Sequence, residues 1–118
     1  MIKSGENFHR TKDGIRLFSK SDFAGMHKAG ALASKILDEI CYLVHPGQST
    51  ESLDKFVEKK VDEAGATSAT IGYRGYKHAS CISINHVVCH GIPSSKKLKD
   101  GDILNIDVTV IVDGWYGD

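Results

Sequence analysis

Apolar positions repeat along this chain first with a helical period and then with a strand period. From Ser19 onward, Phe23, Met26, Gly30, Ala33, Leu37, Ile40 and Val44 follow at alternating steps of three and four, with Ala29 and Ile36 widening the stripe. That spacing predicts one face of a long amphipathic helix. Ser19 with Asp22 three residues later supplies an N-cap and a negative charge in the first turn. His45-Pro46-Gly47 stops the helix. A second helix is announced by Ser49-Thr50-Glu51. Leu53, Phe56, Val57, Val61 and Ala64 form its apolar face, and Lys55, Glu58, Lys59, Lys60, Asp62 and Glu63 its solvated side. Gly65 sits where a left-handed C-cap belongs.

Beyond Gly65 the helical period disappears. Residues 66–71, 80–84 and 87–89 are short strand candidates, separated by a Gly/Tyr-rich loop and followed by a basic turn at Lys96, Lys97 and Lys99. Ahead of both helices, residues 1–18 show no sustained apolar period and carry the turn signal Lys12-Asp13-Gly14. They read as a lead-in to a unit spanning 19–118, with Ile15-Arg16-Leu17-Phe18 able to dock as an extended edge. Two helices followed by several strands, without strict alternation, predict an α+β fold with helices packed on a mainly antiparallel sheet.

The most informative stretch is 102–118. Leu104, Ile106, Val108, Val110 and Val112 make an unbroken apolar face, while Asn105, Asp107 and Thr109 share the other. Asp113-Gly114 is the strongest short hairpin signal, because both central residues of a type I′ turn need positive φ. With those two as the loop, Val112 faces Trp115, Ile111 faces Tyr116 and Thr109 faces Asp118. Asp107 and Asp118 then become diagonal neighbours, with Cβ atoms ~7 Å apart. Two carboxylates aimed into one space raise one another's pKa. A pair of divalent cations is one reason to hold them together; a wet face of an antiparallel sheet is the plainer one. On spacing alone the wet face stands first.

Length and composition narrow the function classes. The 118 residues suit one small domain, and 41% hydrophobic residues exclude a disordered segment. With 15 basic and 15 acidic side chains the formal net charge is zero, which offers no whole-chain field for DNA or RNA. No apolar run approaches the ~20 residues that span a bilayer. Residues 1–18 lack a signal-peptide core, which points to the cytoplasm. Cys41, Cys81 and Cys89, odd in number and widely spaced, read as reduced thiols, with Cys41 and Cys89 expected in the core.

His86 and His90 have a zinc-compatible spacing but no cysteine pair beside them. His90 precedes Gly91 and Pro93, so a strand ending there would present the ring at a sheet edge, or the residue is an ordinary loop histidine. Tyr73 and Tyr76 bracket glycines, and either pack onto the sheet or wall an apolar pocket with hydroxyl tips.

In their linear order, Gly72-Tyr73-Arg74-Gly75-Tyr76, the run Cys81-Ile82-Ser83-Ile84-Asn85-His86-Val87-Val88-Cys89-His90-Gly91-Ile92-Pro93, and Asp100-Gly101-Asp102-Ile103-Leu104-Asn105-Ile106-Asp107-Val108-Thr109 closely resemble the bacterial-type (type I) methionine aminopeptidases. The resemblance begins near Ser19 and covers the remainder of the chain. It implies the first half of the pita-bread metallopeptidase fold, and removal of the initiator methionine from nascent polypeptides in the cytoplasm. It further implies two divalent ions (Co²⁺, Mn²⁺, Fe²⁺ or Zn²⁺), with Asp107 chelating one and Asp118 bridging both. His90 corresponds to the substrate-contacting histidine, and Tyr73, Tyr76 and Cys81 to the methionine pocket. Asn85 and Val87 fall in a region that holds a monovalent cation in some relatives. Two departures lie near the pocket. Lys77 stands where many relatives have proline, and Thr70 where many have cysteine.

In the family a histidine and two glutamates of the second half complete the centre. A chain ending on Asp118 is therefore expected to be an incomplete, catalytically crippled piece of a monomeric enzyme. Two other readings remain beside this one. A proline-directed relative is disfavoured by the spacing around His90, and a non-catalytic binding module by retention of Asp107, Asp118 and His90. Ribosome contact through Lys96, Lys97 and Lys99 is weighed below a solvated turn; neither DNA nor a membrane is expected as partner.

Overall fold

Both helices start on the caps the sequence provides. In a computed structural model that describes residues 8–118, Ser19 Oγ accepts from the Asp22 amide at 3.3 Å while the Ser19 amide donates to Asp22 Oδ2 at 2.8 Å. This reciprocal box satisfies two otherwise orphaned donors and opens helix α1, Lys20–Ile40. Ser49 Oγ accepts from the Ser52 amide and opens helix α2, Thr50–Glu63. Gly65, at φ +67°, follows its C-cap Ala64. α1 tightens into a 3₁₀ turn over Cys41–Leu43 just ahead of Pro46.

Five short strands follow: β1 (Thr67–Ser68), β2 (Ser80–Ile84), β3 (Leu104–Val108), β4 (Val110–Val112) and β5 (Trp115–Gly117). They form two antiparallel sheets, β1-β4-β5 and β2-β3. The apolar run expected as one strand divides at Thr109: β3 pairs with β2, ending at Ser80↔Val108, and β4 pairs with β1 and β5. Alternation survives the break, because Val108 and Val110 both point into the core. α1 packs on β4 and β5, and α2 on β1 and β2. Between them lie Ile36, Ile40, Leu53, Val57, Val61, Ile82, Ile84 and Leu98, aliphatic side chains each worth ~1.5–3 kcal/mol when fully buried.

Small residues set how closely α1 meets the hairpin. The buried stripe of α1 is Ala29, Ala33, Ile36 and Ile40, and a Cβ added to Gly117 would overlap the backbone carbonyl of Ala29. The backbone of β5 therefore lies directly on the helix.

Several expectations need correction. Phe23 and Met26 are exposed, although Trp115 of β5 already meets α1 at Gly25, because neither side chain shares the direction of Gly25 around the helix. Ala64 is exposed, and the strand expected over 66–71 shrinks to Thr67–Ser68. Residues 87–89 are not a strand; the chain turns at Asn85 (φ +53°) and runs as an exposed loop. Cys41 and Cys89 are both exposed rather than core thiols, one in the solvent-facing 3₁₀ turn and the other in that loop. The lead-in before Phe8 lies outside the described residues. Its remainder turns back at Gly14 through an antiparallel Arg10↔Arg16 bridge and lays Phe18 edge-on to Trp115, 6.0 Å between centroids.

Candidate metal and substrate site

Asp113 and Gly114 both take positive φ, +50° and +84°, as a type I′ turn requires. The hairpin consequently pairs Val112 with Trp115 and Ile111 with Tyr116, in the register expected from the sequence. One step beyond the paired residues, Thr109 Oγ1 donates to Asp118 Oδ1 at 3.0 Å. Asp107, on β3, faces Asp118 closely enough for the two carboxyls to act on one another. Loss of hydration at its carboxyl, followed by the facing charge of Asp118, raises Asp107 above the usual carboxylate range, and His90 opposes the shift. The two acids expected to be diagonal neighbours therefore do act on one another, and His90 lies close enough to Asp107 to oppose its shift.

The other wall comes from β2. Cys81 pairs directly with Asp107 across the β2–β3 ladder, which brings the thiol and the carboxylate to one side of the sheet. The loop before β2 adds Tyr73, Arg74 and Tyr76, the loop after it adds His90 and Ile92, and together they enclose a pocket of about 580 Å³ whose floor includes Thr70, Asp107 and Thr109. Tyr76 Oη donates to the Ser80 carbonyl at 2.7 Å and accepts from Cys81 Sγ at 3.5 Å. Burial first, and then the Cys81 hydrogen bond, push the Tyr76 phenol well above its ordinary pKa, so it remains a neutral donor.

His90 reaches the pocket by a different route from the strand end expected of it. It has φ +56°, and the next residue is fixed to β2: the Ile82 amide donates to the Gly91 carbonyl at 2.8 Å, and the Gly91 amide donates to Ser83 Oγ at 3.0 Å. A Cβ on Gly91 would overlap the Ile82 carbonyl, so only glycine lets the loop lie this close. Asn85 bonds Asp102 Oδ1 and the Ile103 amide, and Val87 donates its amide to the Ile84 carbonyl; neither lines the pocket.

Sequence reasoning missed Asp54. It is 1% exposed, although it was placed on neither face of α2. Its spacing held the signal, since a residue one after Leu53 and three before Val57 lies on the inward side. It also missed that Thr109 orients Asp118.

The donor set suits a hard or borderline divalent cation, because carboxylate oxygens favour Mg²⁺, Mn²⁺ and related ions. Among the described residues, no three His, Cys, Asp or Glu side chains gather around one point, so Asp107 and Asp118 would contribute part of a coordination shell. An electrostatic consequence follows. A carboxyl whose pKa is raised by folding stabilises the fold at low pH and loses that contribution as pH rises through the folded value. Asp107→Asn should therefore raise the melting temperature of the metal-free chain at pH 7 and leave it little changed near pH 3. Millimolar Mn²⁺ should stabilise the parent but not the variant. Thermal melts with and without Mn²⁺ read both effects, and a lower melting temperature for the metal-free variant at pH 7 would contradict the repulsion.

Residues 24–118 match metallopeptidase family M24. The chain is 49% identical to a methionine aminopeptidase of Rickettsia prowazekii over 104 residues, and 52% identical to that of Escherichia coli K12 over 106 residues. Each match takes in 88% of this chain but 40% of the relative, so the chain spans about two fifths of the length of these curated relatives. Among solved structures, the Rickettsia prowazekii methionine aminopeptidase superposes with a TM-score of 0.86 at 48% identity, over 87% of this chain and 42% of that one. The Thermotoga maritima enzyme gives 0.81 at 33% identity, over 86% and 41%. The α+β, pita-bread arrangement expected from the sequence is thus present over the shared region. Taken with the paired carboxylates at the hairpin end, the match over most of the sequence establishes that the chain belongs to metallopeptidase family M24.

Proposed function

We propose that residues 19–118 form the first half of a methionine aminopeptidase domain, with 1–18 as its lead-in, and that the whole enzyme removes the initiator methionine from nascent polypeptides in the cytoplasm. The observation that carries this reading is the approach of Asp118 to Asp107, where Asp107 and His90 line a pocket also walled by Tyr73, Tyr76 and Cys81. The similarity to relatives named methionine aminopeptidase supports it.

In this reading Asp107 and Asp118 hold two divalent ions together with ligands from the second half of the domain. Bound there, the metal supplies Lewis-acid and water-activating chemistry. The chain's own residues do the rest. Tyr73, Tyr76 and Cys81 receive the unbranched methionine side chain, with Ile92 adding apolar surface. The Tyr76 phenol keeps its proton and stays hydrogen-bonded to the Ser80 carbonyl, so it presents ring rather than charge. His90 donates to the scissile carbonyl oxygen, where negative charge develops. Thr109 keeps Asp118 Oδ1 in a fixed direction.

The test compares the 118-residue chain with an enzyme completed by the second half of the Rickettsia prowazekii relative, both given a Met-Ala-Ser peptide and Mn²⁺ or Co²⁺. The completed enzyme should release methionine and spare X-Pro peptides, and the chain alone should be inert. Robust metal-dependent turnover by the short chain would remove the need for further ligands. A preference for X-Pro would replace the methionine reading by a proline-directed one.

A further inference from the structure

Asp54 is a carboxylate buried in the second turn of α2 between Leu53 and Val57. Burying such a group costs several kcal/mol unless donors surround it, and its two donors both come from the segment that carries the pocket wall. Oδ1 accepts from Ser80 Oγ at 2.6 Å, and Oδ2 lies 3.3 Å from His78 Nδ1. We propose that Asp54, acting through His78 and Ser80, is the positioning residue that fixes the Tyr76–Cys81 wall of the substrate pocket.

The connections run directly from the carboxylate to the wall. Ser80 gives its hydroxyl to Asp54 and its carbonyl to Tyr76 Oη at 2.7 Å. His78 gives one ring nitrogen to Asp54, and its ring meets the Tyr76 ring edge-on at 5.5 Å between centroids. The His78 carbonyl also accepts from Thr70 Oγ1 at 2.7 Å, which ties the start of the loop to its end. Tyr76 is therefore gripped at its hydroxyl and along its ring by the two residues that Asp54 holds.

The segment needs such an anchor. Gly72, Arg74 and Gly75 all have positive φ, +86°, +49° and +79°. Arg74 adopts that conformation without glycine's freedom, at a cost of ~1 kcal/mol or more. A loop with this backbone and an exposed Tyr73 has little packing of its own. Neither Lys77 nor His78 carries a ring that fixes φ, and the His78–Asp54 contact supplies a constraint from outside the loop.

This inference deepens the pocket reading and rests on it, so its test avoids peptide hydrolysis altogether. In a Cys41→Ser/Cys89→Ser background, Cys81 is the single thiol of the chain, and it is half-buried with its Sγ against the Tyr76 hydroxyl. Its alkylation rate by iodoacetamide reports how firmly the wall is closed. At a temperature where circular dichroism shows each protein folded, His78→Ala and Asp54→Ala should each speed alkylation about tenfold through local opening. His78→Gln, whose amide can reach Asp54, should return the rate to within twofold of the parent. A role confined to packing α2 on the sheet would lower the melting temperature of Asp54→Ala without opening the thiol. His78→Ala is the deciding variant should Asp54→Ala not fold; alkylation within twofold of the parent there overturns the proposal, whatever the completed enzyme hydrolyses.

Discussion

Replacing Asp107 or Asp118 by alanine in the completed enzyme is expected to cut turnover of Met-Ala-Ser by roughly 10³-fold or more. A divalent cation contributes several kcal/mol of charge stabilisation to the transition state of peptide hydrolysis, and ~4 kcal/mol corresponds to that factor. Either substitution removes one of the two acidic donors that the described residues bring to the site. Unfolding would not explain the loss at Asp107, since deleting a carboxylate that Asp118 repels should leave the metal-free protein at least as stable. Thr109→Val should act more mildly, by ~10–100-fold, because it removes the hydroxyl that directs Asp118 Oδ1 but leaves both carboxylates. Initial rates at saturating Mn²⁺, beside bound metal per protein, separate these cases. Activity unchanged in either alanine variant would refute that residue's role as a ligand.

How much of this was legible in the sequence depends on how local the deciding chemistry is. The Ser19–Asp22 box, the Ser49 cap and the Asp113-Gly114 turn are determined within a few residues, and each forms as its spacing indicates. The hairpin register followed from the turn, and with it the approach of Asp118 to Thr109. Periodicity identified the apolar face of α1 but not which side of its first turns the hairpin meets, so Phe23 and Met26 were expected inside and are found outside, with Trp115 against Gly25 instead. Val87 and Val88 carry a local strand preference, yet the chain there is held by Gly91 docking on Ile82 and Ser83, a contact no local pattern encodes. The break at Thr109 has the same origin: β3 and β4 look continuous, and only the different partners, β2 on one side and β1 with β5 on the other, divide them. At the site, spacing brought the two carboxylates together, whereas assigning a role to His90 needed the family resemblance. Asp54 was overlooked because charged side chains on a helix are usually at the surface, and its burial becomes sensible only once Ser80 and His78 arrive from 26 and 24 residues away.

Gly117→Ala should be the most damaging single-methyl change in the hairpin. The added Cβ would overlap the backbone carbonyl of Ala29, and backbone cannot rotate away as the end of a flexible side chain can. Relief requires β5 to lift off α1, which opens its contacts at Gly25 and Ala29 and carries Asp118 with it, since Asp118 is the next residue. Overpacking of this kind costs about 3 kcal/mol, enough to lower the melting temperature of a chain this size by roughly 12 °C. The displaced carboxylate should also lose its Thr109 bond, so the Mn²⁺-dependent rise in melting temperature should shrink along with the stability. Gly30→Ala provides the opposite expectation from the adjoining helix face. A Cβ there meets nothing within 4 Å, and replacing a mid-helix glycine by alanine should stabilise by ~0.5–1 kcal/mol. Two glycines that nearly touch across the α1–β5 contact should thus respond with opposite signs in denaturant titrations. A Gly117→Ala protein within about 0.5 kcal/mol of the parent would mean that β5 does not need so close an approach to α1, and that the place of Asp118 is set by the Asp113-Gly114 turn alone.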